Sequence, residues 1–149
     1  MSIFERINND IKEAMKARDR DKLEALRNIK KEMIEARAAK GAGTEISDDE
    51  SLKIIAKLAR QGTDSAAIYK EQGRDDLSQH ELTQVNVYKS YLPEKISGEE
   101  LLQAVKEIIN RTGATSVKDM GKVMGIATKE LAGKADGKDI ADKVKTLLL

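Results

Sequence analysis

The chain has 149 residues, of which 36% are charged and 40% hydrophobic, and its formal net charge is +1. This balance supports a buried core and excludes an intrinsically disordered chain. The absence of cysteine excludes disulfide bonds and thiolate metal sites. A single proline and only four aromatic residues favour helices over a β-sandwich or barrel.

The amino-terminal sequence and the hydropathy pattern bear on location. The first ten residues mix acidic and basic side chains, so we expect no secretory signal there. No apolar run approaches the roughly 18 residues that a membrane span needs. Together with the lack of cysteine, this predicts a cytoplasmic protein.

Apolar side chains recur at helical spacing from the amino terminus onward. Asp19 or Asp21 is expected to cap a second helix, which ends near Gly41 because glycine accepts the left-handed turn after a helix. One face of the first helix carries Ile3, Phe4, Ile7, Ile11 and Met15. The core face of the second carries Leu23, Leu26, Met33 and Ile34, with Ile29 at its margin.

Ser-x-x-Glu capping boxes predict where the next three helices begin, at Ser47, Ser78 and Ser97. Gly62 is expected to weaken or break the third helix, and Pro93 to end the fourth, because the residue before proline avoids helical geometry. The core face of the third carries Leu52, Ile55, Leu58 and Ala59; that of the fourth carries Leu82, Val85, Tyr88 and Leu92.

The carboxyl-terminal part is predicted to contain three short helices around one core. Apolar positions in these helices are Leu101, Val105, Ile108 and Ile109, then Met120, Val123, Met124, Ala127 and Leu131, and finally Ile140, Val144, Leu147 and Leu148. We therefore predict an all-α protein, with a helical domain of about four helices (residues 1–93) joined to a three-helix domain (residues 97–149).

Few residues are suited to catalysis or metal binding. His80 is the only histidine, and its neighbours along a helix point elsewhere, so we assign it to the surface. Any metal site would then be built from carboxylates alone.

The segment 133–138, GKADGK, resembles a phosphate-binding loop only superficially. The motif needs four residues between its glycines and a Ser or Thr after the lysine, whereas this segment has three residues between the glycines and an aspartate after the lysine. We predict no catalytic residue, no metal and no cofactor, and expect the tyrosines to pack in the core or hinge.

A stripe of lysines is the clearest candidate for binding. With Lys118 set at 0°, helical geometry places Lys129 at about 20° and Lys122 at about 40°, whereas the apolar positions from Met120 to Leu131 fall at about 140–240°. Lys134 and Lys138 follow in the next turn. From Arg111 onward the chain has 8 basic and 5 acidic residues. Contact with phosphates and an ordinary solvated face both fit this pattern.

The sequence as a whole resembles the GatB/YqeY family. The most specific blocks are residues 119–125, DMGKVMG, and 133–138, GKADGK. Further matches are Arg74-Asp75-Asp76-Leu77, Tyr91-Leu92-Pro93 and Leu26-Arg27-Asn28-Ile29-Lys30. Matches run nearly from end to end in a fixed order.

This resemblance implies a helical amino-terminal part joined to a small three-helix tail. A similar region is appended to the B subunit of the glutamine-dependent aspartyl/glutamyl-tRNA amidotransferase, where the tail touches tRNA. The resemblance implies phosphate contacts at Lys122, Lys134 and Lys138, with Gly121, Gly133 and Gly137 allowing close backbone approach, and the lysine stripe adds Lys118 and Lys129 in support. One departure is that the family tends to be basic just before the Asp64-Ser65 pair, whereas this chain keeps only Arg60.

Three functions follow from the resemblance and the motifs. The first is a non-catalytic accessory module that binds tRNA and belongs with the amidotransferase machinery. The second is a helical adaptor that docks on a tRNA-processing or translation protein without meeting RNA. The third is an amidotransferase in its own right, a carbon–nitrogen ligase, although no Ser-Ser-Lys amidase constellation is visible. The first is the function that we carry forward.

Overall fold

The computed structural model describes all 149 residues and contains seven α-helices and no β-strand, which confirms the all-α prediction. The chain folds as two compact units, Met1–Leu92 and Pro93–Leu149. No helix is both long and apolar enough to cross a membrane. The helices are Ile3–Ala17 (α1), Arg20–Lys40 (α2), Asp48–Glu71 (α3), Asp75–Lys89 (α4), Gly98–Thr112 (α5), Met120–Glu130 (α6) and Gly137–Leu148 (α7), and a 3-10 turn at Val117–Asp119 leads into α6.

Most helix boundaries follow from local capping chemistry. Asp19, Ser47 and Ser97 cap α2, α3 and α5, each accepting a hydrogen bond from an amide three residues on. Ser2 and Glu5 form a capping box at the start of α1. Gly113 ends α5 in the left-handed conformation, with φ of 70°. These caps satisfy amides and carbonyls that a helix end leaves without partners.

The core of the amino-terminal unit is an apolar cluster contributed by all four of its helices. Three predicted core positions are wrong, because Ile34 is 47% exposed, Met15 is 55% exposed and Leu82 is 38% exposed. In α2 the buried stripe follows the i, i+3, i+7 positions, which turns Ile34 about 100° away from it. The fully buried large side chains of this cluster are Ile7, Leu26, Ile29, Met33, Ile55 and Val85.

Gly62 does not break α3, which runs unbroken from Asp48 to Glu71. The residue is buried against α4. A Cβ placed on Gly62 would lie 2.6 Å from Cγ2 of Val85, closer than any normal contact. The glycine therefore lets α3 and α4 approach each other closely.

Ser78 does not cap α4, which begins three residues earlier at Asp75. The Ser78 side chain is buried, and its hydroxyl donates a hydrogen bond of 2.8 Å to the carbonyl oxygen of Ala66 on α3. Arg74, at the N-cap position, makes no side-chain capping bond. The Ser-x-x-Glu pattern at Ser78 therefore marks a contact between α4 and α3 and not the start of a helix.

Tyr91 ties the end of the amino-terminal unit to α1. Its ring is buried, its hydroxyl donates a hydrogen bond to the carboxylate of Asp10, and the guanidinium carbon of Arg6 lies 4.7 Å from the ring centroid. Burial raises the pKa of the Tyr91 hydroxyl, and the hydrogen bond to Asp10 raises it further. The neutral phenol is therefore the form that the fold requires.

The carboxyl-terminal unit packs α5, α6 and α7 around a second apolar cluster. All of its buried positions come from the apolar positions predicted for the three helices. Its buried members are Leu101, Val105, Ile108, Val123, Ala127, Leu131, Ile140, Val144 and Leu148.

The contact at Gly62 predicts a specific loss of stability. Gly62→Ala forces a methyl group against Val85, which is stiff at χ1; overpacking costs roughly 1–3 kcal/mol, and the better helix propensity of alanine returns about 0.5–1 kcal/mol. The free energy of unfolding should fall by about 1–2 kcal/mol in urea denaturation. Gln61→Ala, at the neighbouring exposed position, should stay within about 0.5 kcal/mol of wild type. Equal stability of the two variants would contradict the account.

Tyr91 predicts a loss of stability in alkali. Since its pKa is raised in the folded state, its contribution is complete below the unfolded value of about 10 and is lost as the pH rises above that value. Tyr91→Phe should lower the free energy of unfolding near pH 8 by about 1–2 kcal/mol, through loss of the bond to Asp10. It should also flatten the fall above pH ~10. Burial raises the pKa of Tyr88 as well, so part of the fall remains. Urea denaturation at several pH values across this range measures the effect. An unchanged slope of the unfolding free energy against pH in Tyr91→Phe would contradict the explanation.

Candidate nucleic-acid interface

The apolar side chains of α6 determine how this helix is oriented about its own axis. Val123 and Ala127 are fully buried in the core of the carboxyl-terminal unit. At 100° per residue, the opposite side of the helix carries Gly121, Lys122 and Gly125, and all three are exposed. Lys129, seven residues after Lys122, falls on the same side and is also exposed. Burial of the core therefore presents this pair of lysines to solvent.

Bare helix backbone lies beside these lysines. A Cβ placed on Gly121 or Gly125 would meet nothing within 4 Å, so no packing within the unit requires glycine at either position. Two glycines one turn apart leave a smooth strip without side chains on the exposed side of α6. A bulky polyanion can approach such a strip closely while the flanking ammonium groups reach its phosphates.

Lys118 lies in the 3-10 turn before α6 and not in the helix itself. Its predicted angle assumed 100° per residue throughout, whereas a 3-10 turn advances about 120° per residue. The predicted angle between Lys118 and the two lysines of α6 therefore shifts by about 40°, and the Lys118 side chain is exposed. The Asp119 carboxylate supports the turn by accepting hydrogen bonds from the amides of Thr115 and Ser116.

Lys134 and Lys138 lie in and just after the connection between α6 and α7, and both are exposed. The backbone of Lys134 is held at both ends: its amide donates to the Leu131 carbonyl, and its carbonyl accepts a 3.0 Å hydrogen bond from the Ile96 amide. Lys138 is the second residue of α7. The connection thus has a fixed backbone from which the two side chains extend into solvent.

Of the three glycines predicted to let backbones approach closely and to set the turn, Gly133 has a conformation and a contact that require glycine. Its φ is +77°, in the left-handed region, and a Cβ there would lie 3.0 Å from Cδ of Pro93. Gly137 and Gly121 have open space at the Cβ position and no positive φ. Neither is therefore required for packing within the unit, and close approach of a ligand backbone at these two positions stays a prediction.

The five lysines are free of ion pairs. No carboxylate lies within 4.0 Å of the Nζ atoms of Lys118, Lys122, Lys129, Lys134 or Lys138. Two other cations of the same unit are paired. Arg111 holds Glu130 through two hydrogen bonds of 2.9 and 2.6 Å, which lower the pKa of the Glu130 carboxyl, and Lys95 lies 3.2 Å from Asp136. These two ion pairs neutralise two carboxylates of the unit, and the five lysines remain available to external anions.

A shallow cleft of about 300 Å³ lies beside the connection, and sequence reasoning did not find it. Lysines and aspartates both line it, so it does not offer the uniformly positive surface that suits a row of phosphates. Its charged lining residues are Lys95, Lys134, Asp136, Asp139, Asp142 and Lys143.

The remaining residues considered in the sequence analysis are His80 and the three tyrosines. The structure places His80 on the surface of the amino-terminal unit, where its side chain is 41% exposed, but against two carboxylates of α2 that sequence spacing did not reveal. Tyr88 and Tyr91 are buried in the core. Tyr69 is partly exposed on α3.

Comparison with known proteins identifies the family to which the chain belongs. A curated relative from Pyrenophora tritici-repentis (strain Pt-1C-BFP), named "Altered inheritance of mitochondria protein 41, mitochondrial", is 24% identical over 149 residues, which is 98% of this chain and 81% of the relative. The family described as "Yqey-like protein" matches residues 4–148. Since this match covers nearly the whole chain, the chain belongs to the family of YqeY-like proteins.

Proposed function

We propose that this chain is a non-catalytic module that binds folded RNA of the tRNA class, as an accessory to the glutamine-dependent tRNA amidotransferase machinery. Lys122, Lys134 and Lys138 supply the phosphate contacts, with Lys118 and Lys129 in support. The observation that carries the proposal is the set of exposed lysines without carboxylate partners on the carboxyl-terminal unit.

The exposed side of α6 suits a backbone ligand better than a small molecule. Lys122 and Lys129 flank the bare strip at Gly121 and Gly125, so a phosphodiester chain can lie close to the helix with a cation within reach. Each phosphate neutralised releases condensed counterions, which makes such binding favourable at low salt and weak at high salt. Only a few phosphates fit against so small a surface, so the affinity is micromolar or weaker.

The shortage of exposed aromatic side chains favours folded RNA over single strands. Proteins that bind single strands without sequence preference stack successive bases on aromatic rings. Here Tyr88 and Tyr91 are buried in the amino-terminal core, and the carboxyl-terminal unit contains no aromatic residue. Recognition must then depend on the arrangement of phosphates and ribose hydroxyls, which a folded RNA fixes in space.

The proposal includes no chemistry on the RNA and places the protein in the cytoplasm, as expected from its cysteine-free sequence. The curated relative is mitochondrial by name, so fractionation of cells should decide the compartment. Ammonia released from glutamine by the purified protein would contradict the non-catalytic part.

Substitution of three lysines tests the proposal. Lys122→Gln, Lys134→Gln and Lys138→Gln together should weaken binding of folded tRNA and lower the slope of log affinity against log salt by somewhat under ~3, because each lost contact releases about one counterion less. Fluorescence anisotropy at several salt concentrations measures both. Exposed charges contribute little to stability, so the variant should remain folded.

A matched control changes the same charge elsewhere. Lys53→Gln, Lys57→Gln and Lys70→Gln on α3 remove three exposed, unpaired lysines of the amino-terminal unit and should leave tRNA binding nearly unchanged. Gly121→Gln adds a neutral side chain to the bare strip and should weaken binding without loss of stability. If both triple variants weakened tRNA binding equally, the net charge of the protein alone would explain the interaction. Full binding by the first triple, or no preference for tRNA over an unstructured RNA, would favour the protein-adaptor function.

A further inference from the structure

Three side chains with metal-binding chemistry meet where α2 and α4 pack together in the amino-terminal unit. Asp21 and Glu24 lie three positions apart on α2, and His80 reaches them from α4. Nδ1 of His80 is 3.7 Å from Oδ1 of Asp21, and Nε2 is 3.4 Å from Oε2 of Glu24. One ligand atom from each residue lies within 4.8 Å of the other two. Helix packing, and not proximity in sequence, creates this group.

The three side chains lie near enough to one another to share an ion. Ligand atoms about 2.0–2.2 Å from a tetrahedral ion lie roughly 3.3–3.5 Å from one another, and one ligand atom from each residue lies within 4.8 Å of the other two. The 3.7 and 3.4 Å distances involve different ring nitrogens, so one carboxylate faces the nitrogen that would bind the ion and the other has to rotate toward it. All three side chains are partly exposed, at 41% for His80 and 54% each for Asp21 and Glu24, which leaves them room to rotate, with water in the remaining positions.

The charge around the group also favours a cation. Neither Asp21 nor Glu24 has a lysine or arginine nitrogen within 4.0 Å. Six acidic residues elsewhere in the chain have such a partner, among them Glu50 with Lys40 and Glu130 with Arg111. On one helix face, carboxylates three positions apart repel each other. The imidazole is the only basic side chain within 4.0 Å of these two carboxylates.

Gln84 supports the imidazole from the next turn of α4. Its side chain is only 5% exposed, and its amide nitrogen lies 3.4 Å from Nε2 of His80. A nearly buried amide beside the ring restricts the ring's orientation.

We propose that Asp21, Glu24 and His80 form a site for a divalent transition-metal cation of the Zn²⁺ class, which clamps α2 to α4. One imidazole nitrogen and two carboxylate oxygens are ligands that Zn²⁺ accepts, whereas Mg²⁺ and Ca²⁺ take oxygen ligands. The proposal is independent of the RNA-binding function, because all three ligands belong to the amino-terminal unit.

Zinc and magnesium titrations of the untagged full-length chain test the site. Zn²⁺ should raise the melting temperature in a concentration-dependent manner and bind with near 1:1 stoichiometry by calorimetry, whereas Mg²⁺ at the same concentrations should do neither. His80→Ala should weaken Zn²⁺ binding by about tenfold or more, since loss even of a residue that only supports a ligand costs about 10–100-fold. The paired change Asp21→Asn with Glu24→Gln should abolish it.

The matched control is Asp49→Asn, which removes an exposed carboxylate from the acidic start of α3 and should leave Zn²⁺ binding unchanged. Each variant is first measured without metal, so that a change in folding is separated from a change in binding. Absence of a zinc-dependent shift in wild type would overturn the proposal. So would equal binding by wild type and His80→Ala, because the cation would then be held by surface carboxylates without the imidazole.

Discussion

Burial of the apolar side of α6 is the constraint on which the candidate interface depends. The carboxyl-terminal unit is small, and Val123 and Ala127 are completely enclosed by its core. Exposing either of them to water would require rotation of the whole helix, which would also turn Lys122 and Lys129 away from solvent. Because apolar burial is the dominant favourable term in folding, the rotation of α6 is fixed by the core, and the direction of the lysines follows.

The two units use glycine in different ways. Gly62 is needed for packing, because any side chain there would collide with Val85. Gly133 is needed for backbone conformation, since its φ is positive. Gly121 and Gly125 serve neither purpose and lower helix propensity by about 1 kcal/mol each. These two glycines destabilise the helix and contribute nothing to packing or to backbone conformation. Such a combination is expected where a ligand has to come close to the helix backbone.

Periodicity and caps were enough to predict the fold class, most helix boundaries and the core of the carboxyl-terminal unit, because these depend on short-range sequence. The failures involve contacts between helices. Ser78 has the sequence of a cap, yet its hydroxyl bonds to α3; Gly62 has the sequence of a helix breaker, yet it permits close packing. The partners of His80 could not be predicted, because only the packing of α4 on α2 brings them together. The exposure of the five lysines was predictable, whereas their freedom from ion pairs was not.

The central claim is that the exposed side of α6 and the connection to α7 form an RNA-binding surface. Titration of the isotope-labelled full-length chain with folded tRNA, followed by amide chemical shifts, tests it most directly. The account predicts that the largest shift changes fall within residues 118–138 and fade as salt is added. Changes confined to the amino-terminal unit, or none at a salt concentration where RNA is bound, would contradict it.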